Sequence, residues 1–248
     1  MIETHRVDAV EWITLNAPAQ HNAVDWAAIA AVQHFVELAG KDKDLRALVI
    51  TGTGKSFCAG ADLGDVSDND WSNNPLTPLC DAIERCPLPV ICAMNGGVYG
   101  GGVDIALSCD FRIGVDGMRM SIPAAKLGIH YPASGLARAI RILGLQRARR
   151  AFLCADQFAD RQLLDIGFLD NLVAPESLVA SAQSAASDFA GLAPLAVQGM
   201  KLTLNEIAKG EFADATVDAR VNACYASADH REGLAAQKAR RPAKFTGK

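Results

Sequence analysis

The sequence predicts a layered α/β fold whose last third is helical. Up to about residue 115, short apolar runs that read as strands alternate with segments of helical spacing. Past Gly135 the strand signals nearly vanish. Two of the apolar runs, Ala47-Leu48-Val49-Ile50 and Pro89 to Met94, are followed by clusters of small residues, Phe57 to Asp62 and Asn95 to Asp104.

Taken in order, Val7 to Leu15 mixes apolar and polar positions in rough alternation and reads as one strand ending at Ala17-Pro18. After the polar turn Gln20-His21-Asn22, an Ala-rich helix is expected from about Asp25 to Leu38, with Asp25 as N-cap and Gly40 as stop. Leu45 to Thr51 is a short buried strand. Residues 64–78, rich in Asp, Asn, Ser and Pro, read as a loop over the site. A helix from about Leu79 to Cys86 leads to a strand over 89–94, the glycine turn with its helix, and a strand from Phe111 to Val115. Helices are then expected over Leu136–Leu143, Arg147–Ala155, Arg161–Ile166, Ser177–Leu192, Pro194–Lys209, Phe212–Ala226 and Glu232–Arg240.

A chain of 248 residues, half of them apolar, can bury a large core in one domain. The net charge of −4 argues against an electrostatic nucleic-acid binder. Arg138, Arg141, Arg147, Arg149 and Arg150 form the densest basic region, which reads as a solvated helix face. The charged N-terminus and the lack of a membrane-length apolar run lead to the expectation of a cytoplasmic protein without a membrane partner. The seven cysteines lack a C-x-x-C pair, and Cys92, Cys109 and Cys154 read as small core residues in a reducing compartment. Cys58 has no histidine near it in sequence, which disfavours a nucleophile.

Gly52-Thr53-Gly54-Lys55-Ser56 ends like a phosphate loop, but Val49 stands where that motif needs its first glycine. The five histidines show no ligand spacing, so no metal is expected. The two small-residue segments carry the sharper signal. Glycines leave main-chain N–H groups uncovered, and the helix that starts at Gly100 to Gly102 adds unpaired donors at a positive dipole end. Two such strand exits facing each other would grip an anionic oxygen.

The chain resembles the crotonase, or enoyl-CoA hydratase/isomerase, superfamily. The matching pieces are Asn16-Ala17-Pro18 with His21-Asn22-Ala23, Leu48 to Gly52, Phe57-Cys58-Ala59-Gly60-Ala61-Asp62, Pro89-Val90-Ile91 with Asn95-Gly96, Gly100-Gly101-Gly102, Cys109-Asp110, Leu127-Gly128 and Gly167. The resemblance implies a spiral of β-β-α turns as a core over 1–190, and a helical oligomerisation region over 191–248 that makes a homotrimer or a dimer of trimers. It implies an acyl-CoA thioester as substrate and no cofactor beyond the coenzyme A that the substrate carries. By position, the N–H groups of Ala61 and Gly101 would be the oxyanion donors. Ala59, Asp62 and Leu63, with Ala23, would line the CoA pocket, and His21 stands where relatives place a cation near the CoA phosphates.

Two departures bear on the chemistry. Hydratases of the superfamily use two glutamates; here Asp104 holds the first position and Ala124 the second. Asp104 is the principal acid/base candidate, the alternative being a carboxylate that only complements the helix dipole. Tyr131 occupies a place resembling that of a tyrosine in methylmalonyl-CoA decarboxylases, the alternative being a packing residue; His130 is either an acid or solvent-facing. The implied reaction is a hydratase-like lyase with a single carboxylate. A malonyl-type decarboxylase, a double-bond isomerase and a silent CoA-binding subunit are the alternatives.

Overall fold

The computed structural model describes residues 1–68 and 74–248. The run read as one strand is the second arm of a hairpin: β1 (Ile2–Val7) pairs antiparallel with β2 (Val10–Leu15), Val7 opposite Val10. Asp8, at φ 53°, turns the chain between them. β1 is an edge strand with all but its first residue exposed, so it shows no apolar period from which it could be recognised.

The larger sheet continues with β3 (Ala47–Gly52), β5 (Val90–Ala93), β7 (Phe111–Val115) and β10 (Asn171–Val173), in the order β1-β2-β3-β5-β7-β10. From β2 onward every pairing is parallel. Strands covered on both faces carry continuous apolar runs, which is why β3 and β5 were legible. A second sheet runs β4 (Ser56–Cys58), β6 (Gly97–Tyr99), β8 (Arg119–Ser121) and β9 (Gln157–Ala159). At three residues each, these strands are too short to show a period. The chain visits the large sheet, then the small one, then a helix, and repeats the cycle. This is the crotonase-like β-β-α spiral.

Helix α1 (Trp26–Ala39) buries Ile29, Val32, Val36 and Ala39. The Asp25 carboxylate caps it, accepting from the Ala28 N–H at 2.7 Å, and Gly40 closes it as expected. The expected loop over 64–78 is a correction. Helix α2 (Leu63–Asp68) occupies its start and α3 (Leu76–Arg85) its end, while 69–73 lie outside the described residues. Polar side chains start both helices: Asp62, just before the expected loop, accepts at Oδ1 from the Gly64 N–H at 2.8 Å, and Asn74, within it, accepts at Oδ1 from the Leu76 N–H at 2.9 Å.

Helix α4 (Gly101–Ser108) packs against α3 and α5 (Ala133–Leu153). The two helices expected after Gly135 are the arms of α5, which kinks at Gly144, φ 73°. Then come α6 (Asp160–Asp165), α7 (Leu178–Ala190), α8 (Pro194–Lys209), α9 (Asp214–Ala226) and α10 (Ala228–Ala239). The α7 helix covers β3, β5 and β7. Lys201 ties α8 to the core, donating to Leu88 O at 2.7 Å and pairing with Asp110 Oδ2 at 2.6 Å. Among the described residues no helix is long and apolar enough to cross a membrane. Cys92 and Cys109 are core residues as expected, but Cys154 is exposed, because it ends α5 at the surface.

Candidate active site

The two small-residue segments leave neighbouring strands of the small sheet, not the large one. β4 and β6 run parallel and adjacent, so their C-terminal ends open side by side. Two side-chain amides brace the turn before β4: Asn22 Nδ2 donates to Thr53 O and Ser56 O at 2.9 and 2.8 Å, and Asn95 Nδ2 to Gly54 O and Ser56 O at 3.0 and 3.1 Å. Asn22 is 1% exposed at φ 56°, a backbone state that asparagine tolerates.

Beyond β4, Val24 N donates to Gly60 O at 2.9 Å and Asp62 N to Val24 O at 3.0 Å. The Ala61 N–H therefore points to the opposite side of the ribbon. Beyond β6, Gly100 N donates to Ser121 O at 3.0 Å, and Gly101 opens α4, where a helix leaves its first N–H groups without internal partners. Among the described residues neither the Ala61 nor the Gly101 N–H has a backbone acceptor. A methyl group on Gly101 would lie 3.5 Å from the Ala61 nitrogen, which makes the two amides neighbours.

They share a cavity of ≈ 250 Å³, walled by Leu63, Val66, Leu76, Leu127 and Ile129 and by Ala59, Ala124, Asp104, His130 and Tyr131. The expected site residues Ala59, Ala61, Leu63, Gly101, Asp104, His130 and Tyr131 are thus brought together. His21, Ala23 and Asp62 stand outside the lining. His21 instead supports it, its carbonyl accepting from Ala59 N at 3.0 Å and its Nδ1 lying 3.1 Å from Ser56 Oγ.

Asp104 is 4% exposed, and burial raises its carboxyl pKa above the ordinary value against the opposing charge of Arg138. Burial, with the negative field of Asp104, likewise raises the Tyr131 phenol, which stays protonated. The ring of Tyr131 stands edge-on to Phe152 at 4.9 Å between centroids. His130 is exposed, with Nδ1 2.8 Å from Tyr131 O. Cys58 is buried and its thiol is pushed up to about 12, far from a thiolate nucleophile.

Arg138 corrects the expectation of a solvated arginine face. It is 1% exposed, donating from Nη1 to both Asp104 oxygens at 3.2 and 3.3 Å and from Nη2 to Asp81. Its Nε lies 3.3 Å from Glu84 Oε1. Only the other four arginines of that cluster are exposed. Sequence alone had one available sign, Arg138 falling three residues from Gly135 and Arg141 on the same helix, but an arginine on an exposed face has the same spacing.

The sequence profile described as enoyl-CoA hydratase/isomerase matches residues 5–248. The chain belongs to that family. Over 248 residues it is 32% identical to a probable enoyl-CoA hydratase of Mycobacterium bovis, covering 100% of both chains. Over 254 residues it is 31% identical to an enoyl-CoA isomerase/hydratase of Mycosarcoma maydis, covering 95% of this chain and 92% of that one. Its fold superposes on an enoyl-CoA hydratase from Bacillus anthracis with a TM-score of 0.91 at 27% identity, covering 100% and 99% of the two chains. The match spans the whole β-β-α spiral, and this enoyl-CoA hydratase/isomerase family enzyme places its glycine-rich α4 start directly after β6 of the small sheet.

Proposed function

We propose that the enzyme polarises the carbonyl of an acyl-CoA thioester with the Ala61 and Gly101 N–H groups and uses Asp104 as its single acid/base, adding water across an enoyl double bond. The observation that carries this reading is the pair of adjacent amides, without a backbone acceptor among the described residues, opening on an apolar cavity that also holds the Asp104 carboxylate. The amides are fixed before reaction, so they favour the oxygen as its charge grows; loss of one such donor costs on the order of 3 kcal/mol of barrier. With Ala124 carrying no carboxylate, Asp104 must perform both transfers. It takes a proton from water as the oxygen bonds to the β-carbon, and returns that proton to the α-carbon as the enolate collapses. His21, Ala23, Ala59, Asp62 and Leu63 are assigned to the CoA side of the site, where His21 O and Ala59 N are already joined.

A second reading is favoured by Tyr131. Its protonated phenol lines the same cavity and could supply a proton to an enolate left by loss of CO2 from a malonyl-type thioester, a reaction that needs no second glutamate. Crotonyl-CoA and methylmalonyl-CoA tested in parallel separate the two. Hydration that falls at least about 100-fold in Asp104→Asn supports the first. CO2 release abolished by Tyr131→Phe supports the second, and tight CoA binding without turnover of either thioester sinks both in favour of a silent CoA-binding subunit.

The helices over 191–248 are assigned as the subunit interface of a trimer. Exposed Met200, Leu204, Ile207, Phe212, Val221 and Tyr225 give α8, α9 and the turn between them an apolar surface suited to another subunit.

A further inference from the structure

Asp104 differs from an ordinary buried carboxylate in what stands behind it. An isolated carboxylate at this depth takes up a proton, because burial removes the water that solvates its charge. Here Arg138 presents one nitrogen to both Asp104 oxygens, at 3.2 and 3.3 Å, which fixes the plane of the carboxylate as well as favouring its charge. Gly135 is part of the same arrangement: a methyl group there would sit 3.0 Å from Asp104 Oδ2 and 3.3 Å from the Tyr131 ring.

Arg138 is shared. Asp81 and Glu84 on α3 also pair with it, and two further carboxylates would dilute its field at Asp104. Glu84 in turn is met by Arg141 at 2.7 Å and by Lys209 of α8 at 2.8 Å. Arg138, Arg141 and Lys209 thus balance Asp81, Glu84 and Asp104, three cations against three anions. Arg138 does not line the cavity that Asp104 lines; it faces a separate cleft of ≈ 840 Å³ with Asp81, Glu84 and Arg141. It therefore reaches substrate only through Asp104.

We propose that Arg138 is a positioning residue, holding Asp104 ionised and in one orientation at the cavity wall while the Glu84 cluster sets how much of its charge Asp104 feels. The inference rests on the acid/base role proposed above for Asp104. The titratable groups facing Asp104 are Cys80 and Glu84 on α3, Tyr131 before α5 and Arg138 on α5, with Asp81 on α3 reaching it through Arg138. Glu84 opposes ionisation of Asp104 and Arg138 favours it.

The test reads Asp104 directly, without turnover. In protein labelled with 13C at the aspartate side-chain carboxyls, the resonance missing from Asp104→Asn is that of Asp104. Its midpoint is expected to rise by about 1–3 pH units in Arg138→Gln, to rise less in Arg138→Lys, and to fall in Glu84→Gln. The acid limb of kcat/KM for the turned-over thioester should move in the same directions. A purely structural ion pair would shift the midpoint but leave the acid limb of kcat/KM in place. If Arg138→Gln does not fold, Glu84→Gln still decides by its downward shift. An unmoved midpoint in the folded variants overturns the inference, and the proposed function survives if Asp104→Asn abolishes turnover. If Asp104→Asn retains turnover, the proposed function fails and the catalytic part of this inference fails with it, whatever the midpoint does.

Discussion

At the scale of single residues, Gly60 is constrained by both its backbone angle and its neighbours. Its φ of 96° is one that side-chain-bearing residues rarely adopt, and a methyl group there would lie 2.9 Å from Tyr99 O and 3.0 Å from Gly101 N. Both obstacles are backbone, so relief must push the two strand exits apart. Gly60→Ala is expected to lower kcat by about 100-fold or more, the size of losing one oxyanion donor, in protein whose circular dichroism is unchanged. In Gly101→Ala the new methyl would meet Leu76 Cδ1 at 2.5 Å, the movable end of a side chain, so a smaller loss is expected in the same assay. A Gly60→Ala enzyme with full kcat would remove the amide pair from the mechanism. The segments that hold Ala61, Gly101 and Asp104 were legible at this scale because small residues are dense in them, and the resemblance picked out the positions within them. Arg138 was not, since burial of a charge depends on partners 57 and 34 residues away in the chain.

At the scale of elements, the C-terminal tail illustrates how a helix secures its neighbour. Glu232 on α10 accepts both Arg241 nitrogens at 2.6 and 2.8 Å and the Lys244 N–H at 2.9 Å, while Asp229 accepts from Thr246 N and Gly247 N at 2.7 and 2.8 Å. The Arg241 hydrogen bonds, then that from Lys244, hold the Glu232 carboxyl down to about 2 from an ordinary 4.5. A depressed folded-state pKa means that this clasp contributes fully above pH 4.5 and is lost as pH falls from there toward about 2. The Lys244 amide resonance should therefore titrate with a midpoint near 2, and that step should disappear in Glu232→Gln; a midpoint near 4.5 would show the clasp open in solution. Elements with a full period were found from sequence, Pro194–Lys209 and Phe111–Val115 to the residue. The three-residue strands of the small sheet and the exposed edge strand were not, because nothing in so short or so polar a segment repeats.

At the scale of the whole molecule, α8 and α9 expose apolar side chains on the region already assigned to subunit contact. Charges placed there, in the double variant Leu204→Glu with Tyr225→Glu, should convert a trimer to monomers by sedimentation equilibrium. A wild-type protein that sediments as a monomer would refute the assignment. The sequence by itself determined a layered α/β fold with a helical last third and the glycine-rich segments of the site, because apolar period, caps and small-residue clusters are local properties of the chain, while the family and its spiral rested on the resemblance those segments carry. Only the tertiary structure decided that those segments leave adjacent parallel strands of a second sheet, and that a buried arginine stands behind Asp104. Both depend on which distant segments pair, and strand neighbours and charge partners are chosen by packing rather than by the residues beside them in sequence.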